Sequence, residues 1–367
     1  MTAVNADREI GRVRLRKMQP APPDAPLVSL DDKVRYLASA AAHPGDGTPA
    51  VIETHMSWVF LAGDRVLKLK KPVRTSFLDF STLGAREFNC REEVRLNGRL
   101  APGVYVGVVP LLARPDGGLA IGRAEGPADG QVVDWLVQMH RIPRERMLDV
   151  ALSSGTVSPA DIARLGERLA QFFQNAEPVQ LAGPAYVKRF IASQAMNRSV
   201  LLHPGFHEAA TADALEQFDR ALHRHAELLG TRAEAGHLRE GHGDLRPEHI
   251  GLDGTPVVID CLEFNRALRE VDPFDELAFL DLECRMLGAD WIGPRLIAHC
   301  AAALQDSVPP PVMALYTAHR ALVRARLAMA HLLDAEPRTP ARWKPQAQRY
   351  VAAARKALTP VLADAAG

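Results

Sequence analysis

Apolar and polar positions change period along the chain, and each change marks a structural unit. Ser29-Leu30-Asp31-Asp32 has the form of a capping box and predicts a structural helix running toward Ala41. Short β-type runs follow at Val51-Ile52-Glu53, Ser57 to Ala62 and Arg65 to Leu69, the last two separated by a Gly63-Asp64 turn. In the last run Val66, Lys68 and Lys70 share one face and Leu67 and Leu69 the other, because side chains on a strand alternate with period two. From about Gly84 to Leu100 the spacing is helical, with Phe88, Val94, Leu96 and Leu100 as apolar positions and carboxylates at Glu87, Glu92 and Glu93; Pro102 ends it. Strand-type runs return at 104–112, 119–121 and 132–139, with a Pro115-Asp116-Gly117-Gly118 turn among them.

Beyond His140-Arg141-Ile142-Pro143 the period becomes helical. A helix starts near Met147, and Ser158-Pro159 forms an N-cap and first-turn pair before Ile162, Leu165, Leu169 and Phe172 on one face. Helical patterning continues through Ala212 to Leu229, then breaks at Gly236 and Gly241. His242-Gly243-Asp244-Leu245-Arg246-Pro247-Glu248-His249-Ile250 follows, and Asp253-Gly254 then signals a hairpin that leads to Val258-Ile259-Asp260. Asp272-Pro273 opens an apolar helix, Pro309 to Pro311 mark a loop, and Met313 to Leu333 reads as a long helix. No internal repeat is visible. The pattern therefore predicts an α+β chain with a poorly ordered segment over 1–28, a sheet-rich unit over 29–140 and a helical unit over 141–360.

Composition narrows the partners. Lys plus Arg equals Asp plus Glu, 44 each, and no basic face stands out, so neither nucleic acid nor an anionic membrane is expected as a partner and a small molecule is. Cys90, Cys261, Cys284 and Cys300 show no paired short spacing, and there is no signal peptide or run of membrane-spanning length; a reduced cytoplasmic protein without disulfides is expected. Nothing in the pattern bears on oligomeric state.

Lysine is scarce, with eight in the chain, and three of them fall between 68 and 71. Two readings meet here: an edge strand kept from aggregating by solvated lysines, or an ammonium kept where it must reach a phosphate oxygen. A strand lysine followed by a helix glutamate is the arrangement kinases use to hold nucleotide phosphates, and Lys68 with Glu93 supplies it. Asp244 and Asp260 stand at the two ends of one compact loop-and-hairpin unit, which suits one carboxylate near an acceptor hydroxyl and another near a metal. The structural alternative for Asp244 is an aspartate serving only the turn of a Gly-containing loop.

This order of parts resembles the aminoglycoside phosphotransferase family of the protein-kinase-like fold, over about residues 30 to 340. Glu53-Thr54-His55-Met56-Ser57-Trp58-Val59-Phe60, Lys68-Leu69-Lys70-Lys71-Pro72, Phe77-Leu78-Asp79-Phe80-Ser81, Glu93-Val94-Arg95-Leu96-Asn97 and Ile259-Asp260-Cys261-Leu262-Glu263-Phe264-Asn265 resemble a bacterial branch of it that is often joined to a P-loop domain. No GxxxxGK[ST] occurs here, so the chain looks like the stand-alone form.

The resemblance implies a bilobal fold with a small sheet-rich lobe and a larger helical one. It also implies an ATP- and Mg²⁺-dependent kinase acting on a hydroxyl of a small-molecule acceptor. Lys68 would hold phosphates, Glu93 orient it, Ser57 in the strand-joining loop meet phosphate, and Met139 mark the hinge where backbone groups receive adenine. Asp244 would position the acceptor, Arg246 neutralise the transferring phosphoryl group, and Asp260 bind the metal. His242 is expected to bond backbone. Glu263 has two readings, an acid supporting the site or a plain surface residue. His249 departs from the family's asparagine, and imidazole suits Mn²⁺ or Zn²⁺ better than Mg²⁺. It is read as a metal ligand of altered preference, as a loop-fixing donor, or as a mark of lost activity. The alternatives to a small-molecule kinase are a nucleotide-binding pseudokinase, a protein kinase and a nucleotidyl transferase.

Overall fold

A computed structural model describes residues 28–75, 77–123, 130–206, 208–333 and 339–363. Nearly all of the segment over 1–28 expected to be poorly ordered lies outside them.

Helix α1 (Leu30–Leu37) is capped by Ser29, whose hydroxyl accepts the Asp32 N–H as the capping box predicts. Strands β1 (Ala50–Glu53), β2 (Ser57–Ala62) and β3 (Arg65–Lys70) precede helix α2 (Leu83–Gly98), and β4 (Tyr105–Ala113), β5 (Leu119–Ile121) and β6 (Gln131–His140) follow it. These form one six-stranded antiparallel sheet of order β1-β2-β3-β6-β4-β5. Strand β3 is thus internal, between β2 and β6, and the edge-strand reading of its lysines falls.

Helix α2 lies against the sheet by a polar face. Arg86, Asn89, Glu93 and Asn97 are buried beside Cys90 and Leu96; of the expected apolar positions Leu96 and Leu100 are buried, while Phe88 points to solvent. The polar residues are buried because the sheet and the chain beyond it supply partners: Arg86 Nε donates to Asp134 Oδ1 at 2.7 Å, and Lys33 of α1 donates to Asp134 Oδ2 at 2.8 Å. Asp134 of β6 thereby ties both helices to the sheet.

The second lobe is helical: α3 (Leu148–Ser153), α4 (Pro159–Asn175), α5 (Gly183–Leu201) and α6 (Ala209–Glu234), then α7 (Pro273–Met286), α8 (Ile292–Leu304), α9 (Pro310–Ala330) and α10 (Pro340–Ala363). Its core runs through Leu165, Phe173, Phe218, Phe274 and Tyr316. Between α6 and α7 lie four short strands: β7 (Arg239–Glu240), the hairpin β8 (Ile250–Gly251) and β9 (Val257–Val258), and β10 (Glu270–Val271), which pairs with β7. Pro310 and Pro311 are not loop residues but the first turn of α9, where a missing N–H costs nothing. Helices α8 and α10 arise where the pattern predicts none. The four cysteines are free and buried, and among the described residues no helix is long and apolar enough to cross a membrane.

Candidate active site

The segment from His242 to His249 is shaped by backbone demands. Gly243 has φ +87°, and a Cβ there would meet Leu262 and Arg269 at 3.0 and 3.2 Å. Glu276, in the first turn of α7 and fully buried, accepts the His242 N–H at 2.8 Å and the Gly243 N–H. Burial pushes its carboxyl up from the usual carboxylate range, against the pull of those N–H groups. Gly241 must lack a side chain here, since a Cβ would stand 2.7 Å from Glu276 Oε2.

His242 bonds backbone, as expected. Its Nε2 donates to Ile259 O at 2.9 Å and its Nδ1 accepts the Asp244 N–H at 3.2 Å, so its partners select the neutral ring. Burial lowers it to about 4.

Asp244 faces Arg246, whose Nη2 stands 2.8 Å from Oδ2. Burial would raise the Asp244 carboxyl, but the Arg246 guanidinium outweighs it and holds it below the ordinary value. A short 3₁₀ turn over Pro247–His249 brings His249 back so that Nδ1 donates to Asp244 O at 2.9 Å. That fixes the tautomer. The lone pair of Nε2 then accepts from Arg246 Nη2 at 3.2 Å and lies 3.6 Å from Asp260 Oδ2. Two ligands each about 2.1 Å from one cation stand roughly 3 to 3.5 Å apart, so this nitrogen–oxygen pair, a little wider and with its nitrogen on Arg246, would hold a divalent ion after closing slightly and releasing Arg246. Among the described residues no group of three or more His, Cys, Asp or Glu could hold a metal. The remaining ligands would have to be water or a phosphate.

Asp260 follows β9 with φ +62°, a left-handed conformation that aspartate tolerates better than most residues. Its N–H donates to the Tyr105 hydroxyl at 3.2 Å, a contact with β4 that the motifs do not announce. Lys68 of β3 bridges the lobes: Nζ donates to Glu93 Oε1 at 2.8 Å and to Asp260 Oδ1 at 3.0 Å. The Lys68 ammonium holds the Asp260 carboxyl far below the ordinary value, against its burial.

Lys68, Glu93, Asp244, Arg246, His249 and Asp260 are thus brought together. Among the described residues, no hydrogen bond or ion pair joins Ser57 or Met139 to this group. Ser57 lies opposite Lys70 in the sheet, and its N–H is taken by the Thr54 hydroxyl at 2.9 Å. The N–H groups of Thr54 and Met56 are also engaged within the loop. Met139 lies between Val66 and Tyr105 in the sheet, while the His140 and Arg141 N–H groups go to Val104 O and Asp64 O. Backbone donors at both places are therefore already committed in this structure.

Two further residues belong to this cluster. Lys70, on the same face of β3 as Lys68, is fully buried; Glu263, given two readings above, is no surface residue but Lys70's ion-pair partner. The period-two pattern of β3 was the available signal for Lys70.

No family model matches the chain. An uncharacterised protein of Mycobacterium tuberculosis is 31% identical over 303 residues, which is 81% of this chain. The chain spans 58% of the length of that relative. The solved choline kinase of Cryptosporidium parvum, 10% identical, aligns over 86% of this chain and 90% of its own with a TM-score of 0.51. This chain has the protein-kinase-like fold. A solved aminoglycoside phosphotransferase also aligns, at 12% identity over 83% of this chain and 95% of its own, with a TM-score of 0.47. In kinase-like terms the sheet and α2 form the smaller lobe, the helices the larger one, and Lys68, Asp244 and Asp260 lie where the two face each other.

Proposed function

We propose that the protein is an ATP-dependent phosphotransferase that moves the γ-phosphoryl group to a hydroxyl of a small molecule. The observation that carries this reading is the Lys68 ammonium bridging Glu93 of one lobe and Asp260 of the other at 2.8 and 3.0 Å. The fold shared with a choline kinase adds support for a small acceptor. Polycationic acceptors fit less well, because the α7 acids Asp275 and Glu283 are already paired with Arg320 and Arg324 of α9.

In this reaction the bond from γ-phosphorus to the bridging oxygen breaks, ADP leaves with the electron pair, and the acceptor oxygen bonds to phosphorus. Asp244 orients the hydroxyl and takes its proton late. Its lowered basicity is no obstacle, since a loose phosphoryl-transfer transition state demands little proton removal before bond cleavage. Arg246 leaves His249 to neutralise the transferring group, and Lys68 turns from Asp260 to the phosphates. A divalent ion, Mg²⁺ or Mn²⁺, held by Asp260 and His249, would neutralise phosphate oxygens when bound. Met139 contributes apolar surface to the base, and Ser57 meets phosphate once its loop opens.

The test is nucleotide-dependent thermal stabilisation together with ADP formation in a metabolite screen, run in Mg²⁺ and Mn²⁺ in parallel. Stabilisation by ATP and ADP release with a defined acceptor are expected. No stabilisation and no ADP with any acceptor would defeat the proposal.

A further inference from the structure

The charges above the cleft form an alternating series. It leaves the chain at Asp260, passes through Lys68 of β3 (3.0 Å), Glu93 of α2 (2.8 Å) and Lys70 of β3 (2.5 Å), and returns at Glu263. One lysine of the pair, Lys68, is partly exposed and reaches the cleft; the other has no exposed surface. Lys70 therefore cannot be a second phosphate ligand without leaving its site, and its ammonium also lies 4.8 Å from the Phe80 ring centroid. A buried ammonium between two carboxylates costs desolvation that an apolar side chain of similar length avoids, so stability alone does not call for it.

We propose that Lys70 is a positioning residue: it holds Glu93 ionised and in place, and anchors the 260–263 segment through Glu263, while Lys68 exchanges Asp260 for a nucleotide phosphate. This rests on the reading of Lys68 as the phosphate-holding residue. The exchange is a problem that a single lysine–glutamate pair does not solve. Glu93 is fully buried, and when Lys68 shares its charge with a phosphate, a carboxylate with one partner would be left under-compensated. Lys70 on Oε2 keeps a full positive charge beside it throughout. The groups facing Glu93 are Lys68 and Lys70 from β3, Asp260 and Glu263 from the segment after β9, Tyr105 from β4 and Cys90 one turn earlier on α2. The two lysines alone favour its ionised form. Burial pushes Glu93 up, and the lysines together overcome it. Lys70 is likewise raised, Glu263 and Glu93 outweighing its burial.

The variant Lys70→Met/Glu263→Met removes both members of the pair and so strands no charge between them. Circular dichroism and thermal melting check its folding. The decisive measurement is calorimetric titration with a non-hydrolysable ATP analogue and Mg²⁺ at about pH 8, where imidazole and the terminal phosphate are already deprotonated. It is repeated in two buffers of different ionisation enthalpy. The wild type is expected to bind with the same enthalpy in both, taking up no proton. The double variant is expected to bind at least about tenfold more weakly and to take up about half a proton or more, because Glu93 protonates when Lys68 turns away. A purely structural role for Lys70 would shift melting and leave proton uptake at zero.

Proton uptake near one by the wild type would overturn the proposal even if the variant fails to fold. A folded double variant with wild-type affinity and buffer-independent enthalpy would overturn it as well. If the wild type binds no nucleotide at all, the reading of Lys68 falls and this proposal with it, an outcome distinct from the other two.

Discussion

The two sides of the cleft hold their charges by different means. On the sheet side Lys68, Lys70 and Glu93 are held by one another and by Asp260 and Glu263 from across the cleft, with almost no backbone partners. On the helical side the rings of His242 and His249 are held by backbone, at Ile259 O and at the Asp244 N–H and carbonyl, and Glu276 gathers the loop N–H groups; only the Asp244 carboxylate pairs with a charge, Arg246. Side chains held by charge can change partners when a new charge arrives; side chains held by main-chain hydrogen bonds keep their geometry. The comparison assigns exchange to the sheet side and a fixed frame to the helical side.

The largest effect expected from breaking it is on turnover. Asp244→Asn keeps the loop bonds of the main chain but loses the proton acceptor, so kcat should fall by about 10²–10⁴-fold with nucleotide affinity within about threefold. Steady-state ADP release and direct nucleotide titration check the two halves of that statement. Glu276→Ala strips the loop N–H groups of their acceptor in a buried site, and urea unfolding should show a loss of about 3 kcal/mol. On the sheet side Lys68→Met should leave stability nearly unchanged, because Glu93 keeps Lys70, yet weaken nucleotide binding about tenfold or more, roughly 1.4 kcal/mol. A larger loss of stability in Lys68→Met than in Glu276→Ala would erase the contrast.

A separate effect, outside the cleft contrast, is the pH dependence of stability. His242 and His319 are buried neutral, with values lowered to about 4 and about 3 by burial first, Arg320 and Arg326 adding to it at His319. Below about pH 6.5 the unfolded chain binds protons that the folded chain refuses, so stability falls as pH drops from 6.5 toward 4. At pH 5 each contributes a loss of up to about 2 kcal/mol. The His319 ring is tilted against Phe190 with centroids 4.8 Å apart, and among the described residues its Nδ1 has no hydrogen-bond partner. His319→Phe should flatten the denaturation slope between pH 7 and pH 5 by about half without changing nucleotide affinity.

What the sequence discloses about this molecule follows from how local each signal is. Ser29, Ser158 and Asp272 announce α1, α4 and α7 because a cap is a contact within three residues. The strands of the sheet follow from alternation, and Asp253-Gly254 from its turn. Asp244 and Asp260 are legible because the loop and hairpin between them are short. Glu263 is not, since its partner lies 193 residues away. The polar buried face of α2 is partly hidden for the same reason: Arg86 looks solvated until Asp134 is folded against it, and Glu93, legible as the partner of Lys68, gives no sign of its second partner Lys70. Nor does a motif say which backbone donors near Ser57 and Met139 are spent inside the sheet.

The most direct test of the whole account is the mass of the product formed from an identified acceptor. Wild-type protein with ATP and a divalent cation should add one phosphate to the acceptor and release ADP in equal amount, and Asp244→Asn should make almost none. Addition of AMP instead, or nucleotide binding with no product from any acceptor, would contradict it.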